Sequence, residues 1–288
     1  MKKLKSGVLG FDSIINGGIN HKSITLIVGA PGVGKTTFAL RFIKRGIDEG
    51  DDALFVSLDE NKEQIIAEAE EMGWNNIRNV VEESRLVFID AGGKKFSEFV
   101  RSELPLFVEE WKGANTRIAI DPLTPIIWAV ENKYEQRELL MLMFKEFKKI
   151  GTVVCTLEEH GIRGDLSGPE TIIPMYLADT VVHLKYVDDE GVRKRQLHIL
   201  KCRNSRHSHR YHHYVITREL GFIVKPRPAT GTDAADTQKR ISEEIDAEIN
   251  ALPAKHAERL KKIAPYLMVE DFNETDIKNL IEDFKDSV

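Results

Sequence analysis

Between residues 24 and 225 the chain switches repeatedly between short apolar runs and stretches with apolar residues at helical spacing. Ile24-Thr25-Leu26-Ile27-Val28 is β-rich and apolar enough for a buried strand, and Thr37-Phe38-Ala39-Leu40-Arg41-Phe42-Ile43 begins a helix. Ala53–Leu58 reads as the next strand. Asn61 is placed to cap a helix running through Met72, with Gly73 as its stop. Leu86–Asp90 predicts a strand and the residues from about Phe96 to Trp111 a helix. Arg117–Asp121 predicts another strand, after which Leu139, Leu140, Met143, Phe144 and Phe147 stripe one helix face; Thr152–Thr156 follows as a strand. Beyond Asp179 the pattern holds strands only: Val181–Tyr186, Arg193–Lys201, Tyr214–Thr217 and Phe222–Val224. Repeated βα units predict an α/β fold, a mostly parallel central sheet flanked by helices with an antiparallel edge.

The globular pattern stops near Lys225-Pro226-Arg227-Pro228, which bounds a first domain at residues 1–228. Residues 229–240 open with a run of Gly, Thr, Ala and Asp and read as a flexible linker. Residues 241–288 read as a helical tail. Ile241, Ile245, Ile249 and Leu252 mark one amphipathic helix, Leu260, Ile263 and Leu267 a second, and Ile277, Leu280, Ile281 and Phe284 a third. These stripes either dock on the chain's own domain or offer a surface to a protein partner. Charge divides the chain at the same place: residues 227–288 hold fourteen acids and nine bases, leaving thirty-two of each in residues 1–226, so the net −5 belongs to the tail. A globally basic, DNA-coating surface is excluded. With 30% charged and 42% hydrophobic residues, the composition is that of a soluble globular protein. Met1–Gly7 lacks the apolar core of a signal peptide, and no run approaches the roughly 18 apolar residues of a membrane span. Cys155 and Cys202 fall in predicted strands, as buried thiols of a reducing cytoplasm would.

The strongest chemical signal is Gly29-Ala30-Pro31-Gly32-Val33-Gly34-Lys35-Thr36, a complete G-x-x-x-x-G-K-T phosphate loop set between a predicted strand and a predicted helix. Its glycines let backbone N–H groups turn inward around phosphates, and the helix amino terminus adds partial positive charge. Lys35 would reach the β- and γ-phosphates of ATP, the Thr36 hydroxyl would sit on Mg²⁺, and Thr37 would extend the cradle. Asp59-Glu60, just past a strand whose carboxyl end lines the ligand crevice, could orient and deprotonate the attacking water. As a helix-start pair they would instead favour the dipole of the helix at Asn61. Asp121, closing an apolar strand, is placed to hold Mg²⁺ through water.

Further motifs make the likeness specific. Ser6-Gly7-Val8-Leu9-Gly10-Phe11-Asp12-Ser13-Ile14-Ile15-Asn16-Gly17-Gly18-Ile19 resembles the "TGIxGLDxxxGGGI" opening of KaiC-type proteins in the RecA/RadA superfamily of P-loop ATPases. Ser57-Leu58-Asp59-Glu60 is similar to that family's paired catalytic carboxylates, with Asp59 replacing the first Glu. Asp121-Pro122-Leu123-Thr124 resembles its Walker B segment, and Leu200-Lys201-Cys202-Arg203-Asn204-Ser205-Arg206-His207 its "LKxRGxxH". The likeness covers roughly residues 4–225. It implies a RecA-like core, slow Mg-dependent ATP hydrolysis, and a ring, commonly hexameric, with ATP between subunits. Lys201 and Arg203 would then act as finger residues on a neighbour's γ-phosphate, with His207 as a further nucleotide contact. On an isolated chain the same cations would simply protect an edge strand. KaiC itself is a tandem of two such domains, so its clock function does not carry over. The autokinase positions read Met175 and Tyr176 here, which argues against self-phosphorylation in that manner. Asn204 stands where the family has Gly after the Arg.

Two other functions fit parts of the pattern. A RadA-paralogue-like accessory ATPase of recombination or repair would bind DNA near Gly161–Glu170, but that segment carries only one Arg against one Asp and one Glu. A non-hydrolysing, ATP-dependent assembly scaffold would not need Asp59 and Glu60. His198, His207, His209, His212 and His213 crowd into sixteen residues without acids or Cys at metal-ligand spacing, and His160 ends a strand where a γ-phosphate could be sensed.

Overall fold

A computed structural model describes residues 2–90, 92–112, 115–159, 166–189, 191–218 and 221–225, together with 242–243, 245–247, 249–254, 257–258, 260–261 and 264 of the tail. The first elements are β1 (Lys3–Leu4), α1 (Phe11–Ile14) and β2 (Ile19–Asn20), with β1 and β2 paired antiparallel. The alternating region follows: β3 (Ile24–Gly29), α2 (Lys35–Asp48), β4 (Asp52–Ser57), α3 (Lys62–Glu71), α4 (Ile77–Glu82) and β5 (Leu86–Asp90). Next come α5 (Gly93–Ser102), α6 (Leu104–Glu110), β6 (Thr116–Asp121), α7 (Thr124–Trp128), α8 (Lys133–Ile150), β7 (Gly151–Glu158) and α9 (Pro169–Leu177). An antiparallel wing closes the order: β8 (Thr180–Asp189), β9 (Val192–Cys202), β10 (Tyr211–Thr217) and β11 (Gly221–Val224).

These strands form one nine-stranded sheet in the order β11-β10-β9-β8-β3-β7-β6-β4-β5. From β8 to β5 all neighbours are parallel; β9, β10 and β11 add antiparallel at one edge, as the sequence pattern predicts. Helices cover both faces, which is why β3 is buried along its whole length and apolar without alternation. One core gathers α2, α3 and α4 and the other α5 to α9.

Local chemistry explains most boundaries. Asn61 caps α3 in a reciprocal capping box, its side chain accepting from Gln64 N while the Gln64 amide oxygen accepts from Asn61 N, each at 3.0 Å. The single helix expected over 96–111 is instead α5 and α6, broken at Glu103. Pro105 stands in the first turn of α6, where it lacks the N–H a continuous helix would need. Among the described tail residues, Ile245, Ile249 and Leu260 are buried against Leu9 and Ile223 of the main domain. Their apolar stripe is spent on the chain's own core. The predicted linker 229–240, Ile241, Ile263, Leu267 and the third tail helix lie outside the described residues.

Arg117 on β6 ties α2 and the amino-terminal segment to the sheet. Its guanidinium is fully buried and bonds Glu49, Asp51 Oδ2 at 2.9 Å and the Lys5 carbonyl at 2.5 Å, and lies 4.9 Å from the Phe42 ring centroid. Its stem fills the space beside Gly46, where an added Cβ would stand 2.2 Å from Arg117 Cγ. Arg117→Ala should cost about 3 kcal/mol or more, as loss of a buried pairing group does. Gly46→Ala should cost about 2 kcal/mol by overpacking in the wild-type chain and little or nothing beside Arg117→Ala. Urea unfolding of both single variants and the double variant checks this; additive costs would show that the two residues do not compete for one space.

Candidate active site

The carboxyl ends of β3, β4, β6 and β7 meet at one end of the parallel sheet and enclose a cavity of about 170 Å³ lined by Lys35, Thr36, Ser57, Asp59, Glu60, Asp121 and Glu158. Backbone bonds stitch its floor: Leu58 N donates to Asp121 O, Leu123 N to Thr156 O and Glu159 N to Gly29 O. Residues 29–36 wrap one side. Gly32 and Gly34 have φ of 75° and 100°, values that L side chains adopt rarely, and Gly34 is the N-cap of α2 with no side chain capping the helix. The first N–H groups of α2 are therefore left for a ligand. Lys35 Nζ donates to the Gly29 and Ala30 carbonyls at 3.0 and 3.1 Å, folded along the loop it would share with phosphates. Thr37 packs in the first turn of α2 on the side facing Gly221.

Opposite the loop stands a group of acids. Asp121 is buried and accepts from the Thr156 and Thr36 hydroxyls. The Ser57 hydroxyl donates to the Glu60 carbonyl and holds the bend that carries Asp59 and Glu60. Burial raises the Asp121 carboxyl above the usual range, against the lowering pull of its hydroxyl bonds and Lys35. Asp59 and Glu60 are also raised, first by desolvation and then by neighbouring carboxylates: Glu158 and Asp121 for Asp59, Asp121 and Asp59 for Glu60. Desolvation lowers the Lys35 ammonium. Glu60 Oε2 is buried without a hydrogen-bond partner. An orphaned acceptor facing crowded carboxylates suits a hydrated divalent cation beside a triphosphate. Thr36 and Asp121 are the residues that would hold that cation, and the uncapped helix end would hold the phosphates.

Glu158 is not singled out by the sequence pattern, although it carries the same signal as Asp121: an apolar strand terminating in an acid. Its neighbour Glu159 turns away to the buried ring of His183, with 2.8 Å between Oε2 and Nε2.

Lys201, Arg203 and His207 do not line this cavity. Cys202 pairs with Thr180 and Thr180 with Thr25, whereas the loop begins at Gly29, opposite Leu184. The two cations thus sit about 13 Å back along the strands, at their amino ends. Lys201 Nζ donates to the Met175 and Tyr176 carbonyls at 2.9 and 3.1 Å, and Arg203 Nη2 to the Tyr176 carbonyl at 3.0 Å. In the single chain both cap the carboxyl end of α9. Asn204 takes φ of 56°, the left-handed conformation its amide side chain tolerates. His207 lies on the segment returning from β9 to β10 rather than on a strand, its ring 4.6 Å from that of His209. No cluster of three His, Cys, Asp or Glu able to hold a metal ion occurs among the described residues. Both cysteines are free thiols, Cys155 buried and Cys202 half-buried. No described helix is long and apolar enough to cross a membrane. His160 and residues 161–165 lie outside the described residues; Glu170, at the start of α9, pairs with Lys133 at 2.9 Å.

Comparison with known proteins agrees with this geometry. The family model for the KaiC ATPase matches residues 4–229. Circadian clock protein KaiC2 of Synechocystis sp. is 32% identical over 248 residues, which cover 83% of this chain and 43% of that protein. A UPF0273 protein of Methanopyrus kandleri is 30% identical over 249 residues, covering 78% of this chain and 93% of that one. A solved structure of a KaiC-like protein from Pyrococcus horikoshii aligns with a TM-score of 0.65 at 28% identity, over 78% of this chain and 99% of that chain. The chain spans less than half the length of the clock protein it matches and nearly all of the archaeal relatives. With its phosphate loop, acidic strand ends and antiparallel wing in place, the chain belongs to the KaiC family of RecA-type ATPases.

Proposed function

We propose that the protein is a Mg²⁺-dependent ATPase that turns over slowly and assembles, in a nucleotide-dependent way, into a ring whose interfaces carry the sites. Six subunits are the number the family resemblance suggests. The observation that carries this reading is the separation of cations from acids. The cavity holds four carboxylates and Lys35, while Lys201 and Arg203 stand at the far end of the sheet. A γ-phosphate gathering negative charge needs more than one cation, and a second copy docked with the amino ends of its strands against this cavity would bring Lys201 and Arg203 to it. Bound Mg²⁺ would neutralise β- and γ-oxygens. Lys35 would leave the Gly29 and Ala30 carbonyls for the phosphates, and Glu60, helped by Asp59, would take the proton of the attacking water. Coupling hydrolysis to subunit contacts suits a regulatory or signalling role in the cytoplasm, exercised on a protein partner.

The DNA-accessory reading has less support. In the basic stretch, Arg193 and Arg195 lie on the Tyr186 ring and Lys194 pairs with Asp189. These cations already have partners within the chain. A non-hydrolysing scaffold would leave the raised carboxylates at Asp59 and Glu60 without use.

Glu60→Gln should lower ATP hydrolysis by about 100-fold or more while ATP still binds. Because the Glu60 carboxyl is raised, its ionised form is disfavoured by the fold at neutral pH. The same substitution should therefore raise the melting temperature of the nucleotide-free protein, and wild-type hydrolysis should fall as pH drops through a value above the ordinary glutamate range. Unchanged phosphate release would remove Glu60 from its role. Light scattering should show assembly on adding Mg-ATP. In rings mixed from Lys201→Ala and Lys35→Ala subunits, sites that pair an intact Lys35 with an intact neighbouring Lys201 should restore hydrolysis that neither variant shows alone. Absence of such rescue, or a chain monomeric with Mg-ATP, would overturn interface catalysis.

A further inference from the structure

The phosphate loop is gripped from outside by two phenols. The Tyr186 hydroxyl on β8 donates to the Gly32 carbonyl at 2.6 Å, and the Tyr214 hydroxyl on β10 donates to the Val33 carbonyl at 2.7 Å. A trans peptide points its N–H opposite to its C=O. Holding the Gly32 and Val33 oxygens outward therefore turns the Val33 and Gly34 N–H groups toward the concave side of the loop. From this geometry we infer that Tyr186 and Tyr214 are positioning residues that preorganise two backbone donors for the polyphosphate of the nucleotide. The inference rests on the nucleotide reading of the loop and extends it to residues outside the motif.

Each phenol is itself held in place. Tyr214 is buried, and its ring stacks on Phe222 with centroids 4.2 Å apart and planes 11° apart; Phe222 packs edge-on against Phe38 of α2. Burial also raises its phenol above the usual range, so it stays a donor through neutral pH. Tyr186 lies under the Arg193 guanidinium, 3.8 Å from its ring centroid, with Arg195 at 5.5 Å and Arg195 Nη2 3.5 Å from the same Gly32 oxygen. The loop is fitted to these supports: a Cβ at Gly32 would meet the Tyr186 oxygen at 3.2 Å, and one at Gly34 would meet Ile216 Cδ1 at 2.3 Å. Without the two hydroxyls the peptide planes could rotate, and binding would have to order them.

The test is calorimetric titration of the full chain with ADP and with inorganic pyrophosphate, using Tyr186→Phe, Tyr214→Phe and the double variant. Each single change should weaken both ligands by the same factor, about three- to tenfold, the worth of one hydrogen bond, and the double variant by about the product. In hydrolysis, KM should rise with kcat little changed, because the cradle holds ground and transition states alike. The half-buried position of Tyr186, against the fully buried Tyr214, makes its variant informative even if Tyr214→Phe folds poorly. Tyr134→Phe, on an exposed helix start, should bind as wild type does. Affinities within twofold of wild type for Tyr186→Phe, or a fall in melting temperature with no selective loss of phosphate ligands, would overturn the inference. Failure of the wild-type chain to bind either ligand would instead overturn the nucleotide reading itself.

Discussion

The closeness of β8 to Gly29 sets the terms for the whole site. A Cβ on Gly29 would stand 2.3 Å from the Leu184 carbonyl oxygen and 3.0 Å from Val33 Cγ2, so the loop can begin there only with glycine. That approach puts β8 in register with the start of the loop, and two residues further on it delivers Tyr186 to the loop's tip. On the other side β7 delivers Glu158 into the cavity and the Glu159 N–H to the Gly29 carbonyl. A phosphate loop looks like a local motif, yet its shape here is held by strands more than a hundred residues away in sequence.

Electrostatically the site is lopsided. Acids from three strand ends surround one half-buried ammonium, and the raised carboxyls of Asp59, Glu60 and Asp121 record lost hydration and repulsion. Such crowding costs stability in the absence of cations and favours whatever brings them, the usual relation between a poised site and a less stable fold. The opposite imbalance stands at the amino ends of the strands, where Lys201 and Arg203 rest on carbonyl oxygens at the end of α9.

Much of this was legible in the chain because the signals are local. Strand, glycine loop and helix are consecutive, so the cradle, Lys35 and Thr36 could be placed before any tertiary contact was known, and Asp121 from the apolar strand it closes. The capping pair Asn61 and Gln64 and the switch to antiparallel strands after Asp179 are equally local. What escaped depends on distance or on competing cues. No element is expected over Pro169–Leu177, yet helix α9 forms there with Pro174 inside it and neighbours that bury an apolar face. Pro105 broke a helix whose apolar pattern runs on unbroken. Tyr186 and Tyr214 have no motif, and only the sheet order brings them to the loop; Glu158 ends an apolar strand as Asp121 does, but without a motif around it to single it out. The tail's apolar stripes were visible, but nothing in their period told that Ile245, Ile249 and Leu260 would pack on Leu9 and Ile223.

That last contact has a consequence for how the chain is made. Leu9 bridges to Ile223, and both are sealed by Ile245, Ile249 and Leu260. Phe11 likewise lies against Phe38, which waits for Phe222. Leu9 therefore gains this cover only from residues far along the chain, and β3 must wait for both β7 and β8 before it has a partner on either side. Such long-range closure slows folding and leaves Leu9 short of its full cover until the antiparallel wing and the residues after it are in place.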